Sequence, residues 1–358
     1  MNKGRKLWNV MKNGGLFLII AVITLRIFFF NDNFKETVEI ISKVNLIYIA
    51  IGILFMFIVV LCEGINIKRS LSLCKEEFTL KESMKCSLTG MFFSSITPSA
   101  SGGQPMQLYF MHKRGKKISS GTLTLLICLA SYQFVAVLAA TLSIVFERNI
   151  FYMFLGKYSI LFFIGMALNT ILLVFIIMAI FSNKIIFNTV SLVTYIIKRF
   201  NMELSIKFND KALIEIKKYK SSAEYLKGNR KFIINTVLIS FIQIMAFHSI
   251  PFWAYKALGL PGIGIFDFIF IQAALYITGA ALPFPGAMGI GECGFLVFFQ
   301  CKFAKNMINS AMLISRGISF YMMVLISGAV VLTSHFNRSN SNKRIASGNV
   351  IIKNNEQM

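Results

Sequence analysis

Glu292 sits among glycines at 289, 291 and 294, deep in an apolar stretch that runs IFDFIFIQAALYITGAALPFPGAMGIGECGFLVFFQC over 265–301. Arg316 lies inside another apolar run, 307–333, roughly 13 Å along a helix from its start. An ionised group near the middle of a bilayer costs at least about 3 kcal/mol unless it is paired. These two residues are therefore candidates to pair with each other, or to grip a charged or zwitterionic headgroup. An ion pair that only holds the 265–301 region to the last span satisfies the same cost. Of the 15 acidic residues, Glu292 is the one read as clearly within membrane depth, with Glu63 and Asp267 at span edges. Arg26 lies four residues from the end of its run and can extend to the interface.

A second region carries the same kind of signal. Residues 86–110 read CSLTGMFFSSITPSASGGQPMQLYF. Pro98 ends one half-helix, Ser99, Ser101, Gly102 and Gly103 form a turn, and another half-helix begins near Gln104. In 265–301 the break falls at Pro283, Pro285 and Gly286, before Gly289 and Gly291. Irregular backbone at membrane depth is tolerated only where it is buried in protein or lines a wet cavity. Broken helices meeting near the midplane are a usual design for transporter substrate sites. Glycines at a helix start bare backbone N–H groups, which together with the helix dipole suit a phosphate or carboxylate. The candidate headgroup-binding residues are thus Ser99, Ser101, Gly102, Gly103, Gln104, Gly289, Gly291, Glu292 and Arg316. The same glycines could serve close helix packing alone. Ser94, Ser95, Thr97, Gln107 and Tyr109 lie on the first region, Ser131, Tyr132 and Gln133 on 120–146, and Gln243 and His248 on 232–254. Each of these is read first as a helix–helix hydrogen bond, with a proton relay as the sharper reading of His248.

Other chemistries find little support. Gly289-Ile-Gly291-Glu-Cys-Gly294 matches the dinucleotide fingerprint letter for letter, but no strand precedes it and no acidic residue follows before Glu356. His112, His248 and His335 are scattered, and the cysteines (62, 74, 86, 128, 293, 301) form no C-x-x-C pair. The cysteines read as small buried apolar side chains. No metal, cofactor or catalytic residue is expected.

The elements that must position these groups follow from composition. The chain has 358 residues, 56% of them apolar and 15% charged, with a net charge of +22. A soluble domain carries roughly 25% charge, so this chain reads as an all-α, polytopic helical membrane protein. Six runs are long enough to span: about 14–30, 44–62, 120–146, 158–181, 232–254 and 307–333. The first resembles a secretory signal but lacks a small-x-small cleavage site, and reads as a retained span. If the two broken regions are hairpins that enter and leave on one side, 28 of the 37 Lys and Arg fall on the side of the N-terminus and 7 on the other. If each crosses once, the division is 16 against 19. The positive-inside rule selects six spans, two re-entrant hairpins and both termini in the cytoplasm; the second hairpin is also long enough for two short, tilted spans, which leaves the sidedness unchanged. The charge excess is then a topology signal, and no nucleic acid is needed to explain it.

The polar stretch 182–231 has apolar positions at helical spacing (Ile186, Val190, Val193, Ile197, Phe200, then Leu213, Ile216, Tyr219, Ala223, Leu226) with lysines between them. It predicts two amphipathic helices, packed on the bundle or lying on an anionic leaflet. Residues 1–335 form the membrane domain, and 336–358 read as a disordered tail.

At its two broken regions the sequence resembles the transmembrane domain of lysylphosphatidylglycerol synthases, also found alone as flippase-like membrane proteins. The matching positions are Pro98, Gly102, Gly103, Gln104 and Pro105, then Pro285, Gly286, Gly289, Gly291 and Glu292, then Arg316; the resemblance runs over about 10–335. It implies a multi-pass protein of the bacterial cytoplasmic membrane that translocates an anionic or aminoacylated phospholipid such as lysyl-phosphatidylglycerol. In full-length members a soluble domain transfers lysine from lysyl-tRNA to phosphatidylglycerol. That domain does not follow here, so phosphatidylglycerol lysyltransferase activity would need a separate soluble aminoacyltransferase partner. A third reading is a non-catalytic partner of an envelope glycosyltransferase.

Overall fold

The computed structural model describes residues 34–97, 100–146, 159–182, 229–280 and 289–334, with isolated positions between 188 and 228. All regular structure among them is helical: α1 (Phe34–Ser42), α2 (Leu46–Leu73), α3 (Leu80–Ser95), α4 (Gly103–Lys113), α5 (Ile118–Phe146), α6 (Ser159–Phe181), α7 (Arg230–Ala257), α8 (Ile265–Ala280), α9 (Ile290–Phe298) and α10 (Ile308–Ser334). Five helices are long and apolar enough to cross a membrane, namely α2, α5, α6, α7 and α10. They match five of the six expected spans, and the chain is a multi-pass membrane protein. The expected first span, the break at 281–288 and the tail lie outside the described residues, as does most of 182–231.

What faces outward explains why the bundle needs a bilayer. Ile160, Phe163, Ile164, Leu168, Ile171 and Phe175 of α6 are all exposed. Water would make that surface costly, whereas lipid tails cover it. The buried face of the same helix carries Asn169, whose side chain meets that of Gln133 on α5. Polar groups are thus turned inward, where other helices satisfy them.

One expected boundary moves. The run 44–62 stops at Glu63 because polar residues begin there, yet α2 continues to Leu73. Protein rather than lipid covers this last third. Asn66 donates to Ser240 Oγ at 3.1 Å and to the Thr236 carbonyl at 3.4 Å, both on α7. Glu63 therefore stands well inside a 28-residue helix rather than at its end.

The helix α7 is interrupted at Ser249, because Pro251 has no N–H to return to the carbonyl of Phe247. Near the opposite surface, Tyr219, Ala223 and Leu226 are buried against α5 and α6, and Tyr219 Oη donates to the Ala179 carbonyl at 3.2 Å. These three positions of the second amphipathic helix therefore pack on the bundle.

Candidate functional site

The first broken region is a helix–turn–helix. Thr79 and Glu82 form a capping box that starts α3, and Arg114 at the end of α4 donates to Glu82 Oε1 at 2.8 Å. Burial pushes the Glu82 carboxyl up, but hydrogen bonds from Thr79 and the Arg114 guanidinium outweigh it and hold the group below its usual range. Between the helices Ala100 takes a left-handed conformation at φ 54°. The Gly102 N–H is taken by Thr97 Oγ1 at 2.9 Å. A side chain at Gly103 would strike Ser94, so this glycine lets the turn of α4 sit on α3. Neither glycine lines the cavity described below, whereas Ser101 and Gln104 do. Ser99 lies outside the described residues.

The second region places α9 after its break. Phe295, Phe298 and Phe299 are buried on one side of this short helix, among Phe268, Phe303 and Tyr255. Phe295 and Phe299 stack at 4.5 Å between centroids. This aromatic packing turns Glu292, 1% exposed, toward α10. There Arg316 Nε donates to Glu292 Oε1 at 2.9 Å, Tyr321 Oη donates to the same oxygen at 3.2 Å, and the Gly289 N–H donates to Oε2 at 2.7 Å. Gly289 has φ 78°, which glycine adopts without strain. The helix start expected to hold an external anion thus holds the Glu292 carboxylate of its own first turn.

Tyr321 is a residue that sequence reasoning missed. Gly317–Tyr321 forms a π-helical turn in α10. In such a turn residues five apart lie one above the other, so Arg316 and Tyr321 both reach one carboxylate. The Arg316 guanidinium also sits 4.6 Å from the centroid of Phe320. Its Nη2 is buried and has no hydrogen-bond partner among the described residues.

Both broken regions open onto one cavity of about 860 Å³. Ser94, Ser95, Ser101, Gln104 and Gln107 line it from the first hairpin, and Gly279, Ile290 and Gly291 from the second. Arg316, Ser319 and Phe320 come from α10, while α5, α6 and α7 add Tyr132, Gln133, Asn169 and Gln243. Glu292 is absent from the lining: it stands behind Arg316, which presents the charge. Thr97, Tyr109, Ser131 and His248 also stay out of the lining.

Glu63 joins this cavity. Gln107 Nε2 donates to its Oε1 at 2.7 Å and Ser87 Oγ to its Oε2 at 2.7 Å. The sequence carries a trace of it, since Glu63, Asn66 and Ser70 recur at spacings of three and four, a polar stripe on one helix face. Among the described residues no group of His, Cys, Asp and Glu could hold a metal. Cys293 and Cys301 are exposed rather than buried, because α9 and the turn after it leave them on the surface.

The family model of the lysylphosphatidylglycerol synthase TM region matches residues 15–327. A UPF0104 membrane protein of Pyrococcus horikoshii is 23% identical over 335 residues, which cover 88% of this chain and 96% of that protein. A UPF0104 membrane protein of Archaeoglobus fulgidus is 22% identical over 320 residues, covering 87% and 94%. Both relatives are archaeal, so nothing in them supports the expected bacterial origin.

Proposed function

Because the chain belongs to the lysylphosphatidylglycerol synthase transmembrane family, we propose that it is a lipid translocase of the cell membrane. Its substrate is an anionic or aminoacylated phospholipid such as lysyl-phosphatidylglycerol, whose headgroup enters the cavity while its acyl chains stay in the bilayer. One observation carries this reading: Arg316 faces the cavity that both broken regions line, with a buried N–H group that has no hydrogen-bond partner among the described residues. A phosphate oxygen is the acceptor such a group suits. Glu292 holds the guanidinium in place from behind. The volume lies within the roughly 300–1,000 Å³ of small-ligand sites.

The test is reconstitution in vesicles with fluorescent phosphatidylglycerol and dithionite quenching of the outer leaflet. The protein should raise the quenched fraction above the half that static vesicles allow. Arg316→Ala should slow it about 10- to 100-fold, the worth of one hydrogen bond to a charged group. Unchanged kinetics in Arg316→Ala would remove Arg316 from the site.

The family's description supports a second reading, the membrane half of a phosphatidylglycerol lysyltransferase that works with a soluble aminoacyltransferase. Deletion would then abolish lysyl-lipid; normal lysyl-lipid in the deletion strain rejects it.

A further inference from the structure

Glu63 lines this cavity and Glu292 stands behind Arg316, and the surroundings of the two carboxylates differ in kind. Glu292 is ion-paired with Arg316. Glu63 makes no ion pair among the described residues; its partners Ser87 and Gln107 are neutral. It lines the cavity directly, roughly 26 Å along α2 from Leu46. An unpaired carboxylate inside a bundle is costly and marks a site that binds a cation.

We propose that Glu63 is the proton-binding group of the cavity, and that its protonation loosens the α3–α4 hairpin. Its two hydrogen bonds come from the two halves of that hairpin, Ser87 from α3 and Gln107 from α4. The site is built for this reach. A Cβ at Gly90 would lie 2.4 Å from Gln107 Nε2, so the amide crosses α3 only because residue 90 is glycine. Ser87 and Gln107 are themselves buried.

The step balances simply. A hydronium ion in cavity water gives its proton to Glu63 Oε2, a new O–H bond forms, and water is left; release is the reverse. Ser87 can then accept from Oε2–H after its hydroxyl rotates, while the Gln107 amide still donates to what is now a neutral carbonyl oxygen. Hydrogen bonds to an ionised acceptor are roughly twice as strong as neutral ones, so the protonated state holds both half-helices less firmly. The titratable neighbours of Glu63 are Cys86 on α3 and Cys128 and Tyr132 on α5, while Tyr276 of α8 and Arg316 of α10 face the same cavity. The cavity residues of α7, such as Gln243 and Phe247, carry no ionisable group, and His248 stays outside the lining.

Infrared difference spectroscopy on the purified full-length protein tests the titration itself, independently of any transport. Across a pH titration the wild type should show a reversible protonated-carboxyl band. The band should vanish in Glu63→Gln and persist in Glu292→Gln. Ser87→Ala and Gln107→Leu, which leave Glu63 in place, should each shift its frequency. A wild type without the band, or a band indifferent to Glu63→Gln and to both partner variants, overturns the proposal.

Control of translocation by this proton rests on the translocase reading above. A pH gradient of one unit across the vesicles should change the wild-type rate by up to about tenfold. The Glu63→Gln rate should ignore the gradient. Equal gradient dependence in both proteins overturns the coupling, whereas a wild type that moves no lipid refutes the translocase reading and leaves the infrared result standing.

Discussion

Gly291 lies directly against the guanidinium of Arg316: a Cβ at residue 291 would come within 2.9 Å of Arg316 Cζ. The glycine is required by this approach, which lets the arginine fold over α9 to reach Glu292. Gly291→Ala should therefore displace Arg316 and slow lipid translocation about as much as Arg316→Ala, roughly 10- to 100-fold. The quench assay in vesicles measures it, and wild-type kinetics in Gly291→Ala would show that the guanidinium accommodates the methyl group.

The buried pair should be costly to break from one side. Removing one partner of such a pair typically destabilises by about 3–5 kcal/mol, because the other charge is left uncompensated. Glu292→Ala and Arg316→Ala should each lower the thermal unfolding temperature in detergent, and the double variant should recover part of the loss. A double variant that loses the sum of the two would mean that the residues do not interact energetically.

Overpacking tests the hairpin. At Gly90 any added side chain collides with Gln107. Gly90→Val should destabilise by about 1–3 kcal/mol, and Gly90→Val combined with Gln107→Ala should restore much of it. Thermal unfolding of the single and double variants in detergent is the measurement; strict additivity would refute the contact.

Acid should loosen the start of α3. With the Glu82 carboxyl held below its ordinary value of 4.5, its contribution is present in full above that pH and is lost as the pH falls through the lower, folded value. A helix cap is worth about 1 kcal/mol. Glu82→Gln should therefore flatten the stability profile below about pH 4.5, read by thermal unfolding against pH. A profile identical to wild type would exclude Glu82 as its source.

The span pattern was legible in the sequence because the bilayer imposes it. A run of about twenty apolar residues can satisfy its backbone in lipid only as a helix, so five expected spans coincide with α2, α5, α6, α7 and α10 to within a few residues, save at the end of α2. The broken regions were equally visible, since proline and glycine interrupt such runs for local reasons. Glu292 and Arg316 stood out because charge is expensive there, whatever surrounds it. Only the tertiary structure decided what these residues do to one another. Glu63 looked like the edge of a span because sequence shows where lipid could no longer cover a helix, and the protein takes over the covering at that point through Asn66 and α7. The glycines of the first turn looked like an anion nest, but Thr97 fills one of their N–H groups and Ser94 packs against the next residue. Tyr321 reaches Glu292 through a π-helical turn that no spacing rule for α-helices reveals. Cost per residue is a local quantity and can be read along the chain; partnership is set by packing between segments far apart in it.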